Sequence, residues 1–118
     1  MTAGGRAGAE PRDGVNLGPA DRIPPGEGRV FTIGDLRVAV FRTRDGGVFA
    51  TQADCPHRQG PLADGLLGGG VLTCPLHARR WELSTGVPVG NDCPPLATYP
   101  VAVSEAGELV LQLRKAAA

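Results

Sequence analysis

Four residues near the middle of the chain carry side chains suited to binding a transition metal. Cys55 and His57 form one short cluster, and Cys74 and His77 form another, with sixteen residues between His57 and Cys74. Together they account for both histidines and two of the three cysteines in the chain. Thiolate sulfur and imidazole nitrogen are common ligands of zinc and iron centres in proteins. The matched clusters therefore predict a metal site built from two loops.

Two kinds of metal site compete for this donor set. A structural zinc site usually takes a pair of cysteines followed by a pair of histidines, whereas each cluster here mixes one thiolate with one imidazole. In a [2Fe–2S] centre the bridging sulfides leave four positions for protein ligands, and each loop could give its cysteine to one iron and its histidine to the other. The mixed clusters favour the iron–sulfur centre, with a zinc-binding interaction module as the alternative.

The segment from Asp54 to Trp81 resembles the Rieske iron–sulfur family, whose motif is Cys-x-His, then roughly sixteen residues, then Cys-x-x-His. The similarity also takes in Pro56, the Pro75-Leu76 pair and residues 81–86, and it extends over about residues 15–113. The resemblance implies one [2Fe–2S] cluster per chain, with Cys55, His57, Cys74 and His77 as its ligands.

The fold that this resemblance implies is an all-β Rieske domain. Its antiparallel sheets would form a sandwich-like or barrel-like body, with a two-loop cluster-binding subdomain at 54–81. We expect one domain over residues 15–113, a flexible tail over 1–14 and a short C-terminal tail over 114–118. The composition agrees, because 18 glycines and 11 prolines separate short apolar runs, as in a turn-rich β domain.

Alternating apolar residues predict a three-stranded meander over residues 29–52. Val38 and Val40 would lie on one face of its middle strand, with Ala39 and Phe41 on the other. Further strands are expected at 15–17 and 71–73, around Trp81 and Leu83, and as a C-terminal hairpin of 97–104 with 108–113.

Three apolar or thiol side chains near the clusters have structural interpretations. Leu66 and Leu67 could pack as a lid or base for the site, and Trp81 is expected to be a core aromatic beside it. Cys93 lies outside both clusters, so the resemblance implies that it is no ligand. We expect it to behave as a small buried hydrophobe.

The chain departs from the family pattern after the second histidine. The usual residue there is glycine, often followed by an aromatic, and here the residues are Ala78 and Arg79. If the backbone at 78 has a positive φ, alanine costs on the order of 1 kcal/mol. Arg79 and Arg80, together with Arg58, are either solvated side chains or a basic rim that favours the reduced state and steers an acidic partner.

The resemblance also bears on the reduction potential. Two histidine ligands make the centre less negative than four cysteines would, which raises the potential. In the high-potential Rieske proteins of respiratory complexes, an extra cysteine in each loop forms a disulfide. Gly60 and Leu76 stand at those positions here, so no such bridge can form. We therefore expect a potential at the lower end of the Rieske range.

Charge and hydropathy narrow the classes of partner. Twelve basic and twelve acidic residues balance, which argues against nucleic acid as a partner. No apolar stretch approaches the roughly 18 residues of a membrane span, so no membrane association is expected. Because the N-terminus lacks a signal pattern, we expect a cytoplasmic protein, and in that reducing compartment metal binding by the thiols is favoured over disulfide formation.

An electron carrier is the function that fits these features best. The chain shows no nucleotide fingerprint, and nothing suggests a self-contained enzyme. The resemblance implies a ferredoxin that passes single electrons from a flavin-dependent reductase to an oxygenase. The alternative within the same chemistry is the small subunit of an assimilatory NAD(P)H nitrite reductase, bound to a large sirohaem subunit.

Overall fold

Short antiparallel strands make up most of the molecule in the computed structural model, which describes residues 14–56, 60–76 and 78–113. This confirms the prediction of an all-β fold. The predicted tails fall outside these ranges, apart from Gly14, which begins the first strand. The described strands are β1 (Gly14–Pro19), β2 (Glu27–Ile33), β3 (Leu36–Arg42), β4 (Val48–Gln52), β5 (Leu66–Gly68), β6 (Val71–Thr73), β7 (Arg80–Glu82), β8 (Pro88–Val89), β9 (Thr98–Tyr99), β10 (Val101–Val103) and β11 (Glu108–Gln112).

The strands form three antiparallel sheets. The terminal sheet has the order β1-β11-β10, the central sheet has the order β2-β3-β4-β9, and the site sheet has the order β5-β6-β7-β8. Two short 3-10 turns, Ala20–Arg22 and Leu62–Asp64, lie in the connections. No helix within the described ranges is long and apolar enough to cross a membrane.

Strand β3 is buried on both faces and divides the core into two clusters. Ala39 and Phe41 pack toward the site sheet, in the cluster that contains Trp81. Val38 and Val40 pack in the second cluster, toward the terminal sheet. The predicted alternation is confirmed, and the second buried face explains why β3 is apolar along most of its length. A change in this strand would therefore disturb both halves of the core.

The predicted strand over 97–104 is wrong as a single element. Thr98 and Tyr99 pair with β4 in the central sheet, whereas Val101–Val103 pairs with β11 in the terminal sheet. Pro100 separates the two segments, and it has no backbone N–H to continue a ladder. The chain thus uses this proline to pass from one sheet to another.

Two strands of the site sheet escaped the sequence prediction. Leu66–Gly68 forms β5 and Pro88–Val89 forms β8. Each is at most three residues long and lies in a segment rich in glycine or proline, so neither shows a clear alternation. Pairing with β6 and β7 supplies the order that local propensity lacks.

The turn between β3 and β4 is stabilised by side-chain hydrogen bonds. The Thr43 hydroxyl donates to the Asp45 carboxylate, and the Gly47 N–H donates to the same oxygen at 3.3 Å. Gly46 has a φ of 95°, which glycine adopts without strain. The hydrogen bond from Thr43, and after it the one from Gly47, lowers the pKa of Asp45 below its ordinary value.

Ala78 has a φ of 56° and is the one non-glycine residue with a positive φ in the described ranges. Its N–H donates to the Cys74 carbonyl at 3.1 Å, which closes the turn between β6 and β7. The sequence left open whether this loop bears the strain of alanine or adopts a different shape. The structure shows that it bears the strain.

The lowered pKa of Asp45 predicts an acid dependence of stability. Because the folded-state pKa lies below the unfolded one, this carboxylate stabilises the fold fully above the unfolded pKa, and that contribution is lost as pH falls through the folded pKa. An NMR titration should give Asp45 a pKa below that of a model aspartate. Thr43→Val should move it upward, and an unchanged value would contradict the assigned cause.

The strain at Ala78 predicts that Ala78→Gly stabilises the protein. Relief of the left-handed conformation outweighs the added flexibility of glycine in the unfolded chain, for a gain of roughly 0.5–1 kcal/mol. Urea unfolding should show this as a higher midpoint. The matched control is Ala102→Gly in strand β10, where the same change should destabilise by roughly 0.5–1 kcal/mol. Equal effects at both sites would rule out strain at Ala78.

Candidate metal centre

The first cluster loop is closed by backbone hydrogen bonds at its base. Asp54 and Pro61 form an isolated antiparallel bridge, and the Leu62 N–H donates to the Ala53 carbonyl at 3.1 Å. Within that base, the Cys55 N–H donates to the Gly60 carbonyl at 2.8 Å. The two ends of the first loop are therefore held together, just before Cys55 and just after Gly60.

The second cluster loop repeats this construction between β6 and β7. Thr73 and Arg80 are paired where the two strands meet the loop. The Cys74 N–H donates to the Arg79 carbonyl at 2.8 Å. In both loops the cysteine N–H thus bonds the carbonyl five residues further along. The shared pattern satisfies a buried donor and fixes the direction of each cysteine side chain.

Both loop cysteines are buried in the same apolar cluster. Cys55 is 0% exposed and Cys74 is 1% exposed, and both pack in the core cluster that contains Leu72 and Trp81. None of the three cysteines of the chain is in a disulfide. The structure therefore brings the two predicted sulfur ligands into one dry region, with their thiols free.

The two loops meet at Gly60. A Cβ atom at this position would lie 3.1 Å from the Cys74 sulfur and 3.1 Å from a methyl carbon of Leu76. Only a residue without a side chain fits here unless a neighbour moves. The end of the first loop therefore lies directly against the cysteine of the second.

The two predicted histidine ligands lie outside the described residues. His57 and His77 were assigned as ligands from the sequence, and that assignment stays a prediction. Among the described residues there is no group of three or more cysteine, histidine or acidic side chains placed to hold a metal. The two cysteines are the part of the predicted donor set that the structure places.

The crossing segment, residues 90–97 between β8 and β9, runs behind the two cluster loops. The Trp81 indole N–H donates to the Pro94 carbonyl at 3.1 Å, and the Leu96 N–H donates to the Gly86 carbonyl at 2.8 Å. Leu96 packs in the same cluster as the two cysteines. Trp81 is fully buried, which confirms its predicted role as a core aromatic.

Gln52 ties the first loop to this crossing segment. Its side-chain amide donates to the Asp54 carbonyl and accepts from the Ala97 N–H, each at 2.8 Å. Sequence analysis missed this residue, because a polar residue at the end of a strand gives no signal of a contact 45 residues away.

Arg37 forms an ion pair with Asp54, at 2.9 Å, beside the first cysteine. Both side chains are about half exposed, so the pair adds at most about 1 kcal/mol to stability. It nevertheless neutralises the carboxylate adjacent to Cys55. Arg80 is exposed, and the half-buried Arg79 has a buried Nε with no hydrogen-bond partner among the described residues. The described arginines near the loops therefore leave positive charge there.

The predictions for Cys93 and for the Leu66-Leu67 pair are each confirmed only in part. Cys93 is half-buried against the cluster that contains the loop cysteines, so it is less enclosed than expected. Leu67 packs against that cluster as predicted. Leu66 does not, because it is 74% exposed on the outer face of β5. Alternate residues of a strand face opposite sides, so one of the two leucines had to point outward.

The described residues fit a sulfide-bridged iron centre. Two free thiols lie buried in one apolar cluster, each at the start of a tied loop, and the two loops meet at a residue without a side chain. Thiolates are the cysteine ligands of iron–sulfur centres, and a dry surrounding limits the access of water to such centres.

Comparisons with known proteins agree with this assignment. A model of the Rieske [2Fe-2S] domain matches residues 14–100. The chain is 35% identical over 99 residues to the biphenyl dioxygenase ferredoxin subunit of Pseudomonas sp. strain KKS102, a match that covers 82% of this chain and 89% of that protein. Ferredoxin CarAc of Metapseudomonas resinovorans is 36% identical over 78 residues, covering 65% and 72%.

Solved structures give the same result. A chain in the complex of reduced oxygenase and oxidised ferredoxin in carbazole 1,9a-dioxygenase superposes with a TM-score of 0.79 and 30% identity, covering 92% of this chain and 100% of that one. A structure described as a nitrite reductase NADPH small subunit superposes with a TM-score of 0.75 and 26% identity, covering 83% and 96%. These matches confirm the predicted ferredoxin-type function, and the chain belongs to the Rieske [2Fe–2S] family.

Proposed function

We propose that this chain is the ferredoxin of a multicomponent oxygenase system and carries one electron at a time from a reductase to the oxygenase. One observation supports this most directly: two buried, unpaired cysteines lie on twin loops that meet at Gly60. The proposed centre is one [2Fe–2S] cluster per chain, with Cys55, His57, Cys74 and His77 as ligands.

The bound cluster would supply a one-electron redox couple. The protein's part is to hold the ligands and control their surroundings. Cys55 and Cys74 would hold the cluster as thiolates, and their tied N–H groups keep the loops from opening. Apolar side chains behind the loops, among them Leu72 and Trp81, keep water from the protein side.

The loop composition favours a potential at the lower end of the Rieske range, which runs from roughly −150 to +300 mV. The positions of the bridging cysteines in high-potential relatives are Gly60 and Leu76 here, and neither residue has a polar side chain. Apolar residues at these positions donate no side-chain hydrogen bond to a cluster sulfur. The negative charge added on reduction is then less stabilised, which lowers the reduction potential.

Named relatives support an oxygenase as the electron acceptor. The biphenyl and carbazole systems supply ferredoxins that match this chain at 35% and 30% identity. A second candidate is the small subunit of a nitrite reductase, which the 26% identical structure favours. The two assignments differ in assembly: a subunit would co-purify with a large sirohaem protein, whereas a ferredoxin would be isolated alone.

Substitution of each cysteine tests the proposed ligands. Cys55→Ala and Cys74→Ala should each abolish the visible absorption and the paramagnetic signal of the dithionite-reduced protein. The wild-type chain should contain about two irons and two acid-labile sulfides per chain. Cys93→Ala is the matched control, and it should retain both signals because Cys93 belongs to neither cluster loop of the sequence.

Two results would contradict this centre. Cysteine variants that keep full colour would remove those residues from the ligand set. A colourless wild-type protein that contains zinc and no labile sulfide would instead support the zinc-binding module. The measurement is metal and sulfide analysis of anaerobically purified protein.

The exposed Arg80 allows a test of the basic rim. Reversing its charge with Arg80→Glu should slow oxidation of the reduced protein by anionic ferricyanide by about two- to tenfold at low salt, and should speed oxidation by a cationic cobalt complex. Both effects should fade at high ionic strength because salt screens the charge. Arg22→Glu, in the 3-10 turn next to the terminal sheet, is the control for total charge. Equal rate changes in the two variants would rule out a local rim.

A further inference from the structure

The side chain of Leu76 lies across the seam between the two cluster loops. From the Cβ position of Gly60, its Cδ1 is 3.1 Å away and its Cγ is 3.2 Å away, and the Cys74 sulfur is also 3.1 Å away. The side chain therefore bends back from the tip of the second loop onto the first. The Leu76 side chain contacts the first loop at Gly60, and the Cys74 sulfur lies beside the same residue.

This contact is not explained by core packing. Leu76 is 60% exposed and belongs to neither buried cluster. A leucine that makes its contacts at the rim of the site, with most of its surface in water, adds little to the hydrophobic core. Its contribution must come from what its inner face covers, namely Gly60 and the space next to the Cys74 sulfur.

We infer that Leu76 is a positioning residue whose side chain covers the Cys74 sulfur and closes the two loops against each other, so that it lowers the reduction potential and slows loss of the metal centre. This inference rests on the proposed function, since it concerns the thiolate that would bind iron. It assigns a role to a residue that is not itself a ligand.

The backbone around Leu76 keeps the cover in place. Pro75 fixes one dihedral angle directly before it, and the Cys74 N–H and carbonyl are both tied within the loop. Gly60 contributes by having no side chain, because even a methyl group there would push against both the sulfur and the leucine. The cover therefore depends on two residues: Leu76, which supplies the apolar side chain, and Gly60, which leaves room for it.

Solvent access gives the direction of the redox effect. Reduction adds one negative charge to the centre, and water near a ligand sulfur stabilises that charge by solvation and hydrogen bonding. A side chain that excludes water from the sulfur therefore disfavours the reduced state. Removing the cover should raise the midpoint potential and also open a route for chelators.

The test compares Leu76→Ala with the wild-type holoprotein. Redox titration should show an upward shift of the midpoint potential, and bleaching by an iron chelator should become severalfold faster. Leu76→Met should restore both values toward wild type, because its unbranched side chain can lie over the same sulfur. Leu66→Ala is the matched control: it truncates a leucine that is 74% exposed and packs in neither core cluster, and it should change neither value.

A double-mutant cycle tests the contact itself. Gly60→Ala should accelerate bleaching in the wild-type background and do so less in the Leu76→Ala background, where one of its two clashes is gone. Strictly additive effects would overturn the contact. An unchanged or lower potential in Leu76→Ala would overturn the role of the cover. Failure of the proposed function would look different, since the wild-type chain itself would then lack colour and labile sulfide.

Discussion

The position of two buried thiols depends on a pair of equivalent backbone hydrogen bonds. The N–H of Cys55 bonds the carbonyl of Gly60, and the N–H of Cys74 bonds the carbonyl of Arg79. A buried N–H without a partner is costly, so each loop has a strong reason to close at this point. Once closed, each loop presents its cysteine toward the same apolar cluster. The site sheet, the crossing segment and Gln52 all serve to hold these two closures at a fixed separation.

Strand β3 connects the site to the rest of the fold. Phe41 supports the cluster that contains the cysteines, and its neighbour Val40 supports the core beneath the terminal sheet. Because packed interiors transmit strain, the position of the loops is coupled to a strand that both cores hold in place. A centre that only gains and loses an electron benefits from such rigidity, since little needs to move between its two states.

The sequence predicted those parts of the molecule that are encoded locally. The paired Cys and His spacing indicated the centre, and the strict alternation in β3 placed Val38 and Phe41 on opposite faces. Strands β5 and β8 were missed because they are short and take their order from neighbours. Gln52 could not be foreseen either, since its two partners lie on separate segments and nothing in a single sequence marks them.

The departure from the family pattern at Ala78 lies in the second loop, close in sequence to the residue that contacts Gly60. Ala78 has a left-handed backbone where glycine would be relaxed, and Leu76 lies over Gly60 two residues earlier. Strain of about 1 kcal/mol persists only where the surrounding structure determines the conformation. Here the tie between Cys74 and Arg79 spans both residues and fixes the turn. The backbone shape of the second loop is therefore set by its closure, which imposes the left-handed conformation on Ala78 and directs Leu76 onto Gly60.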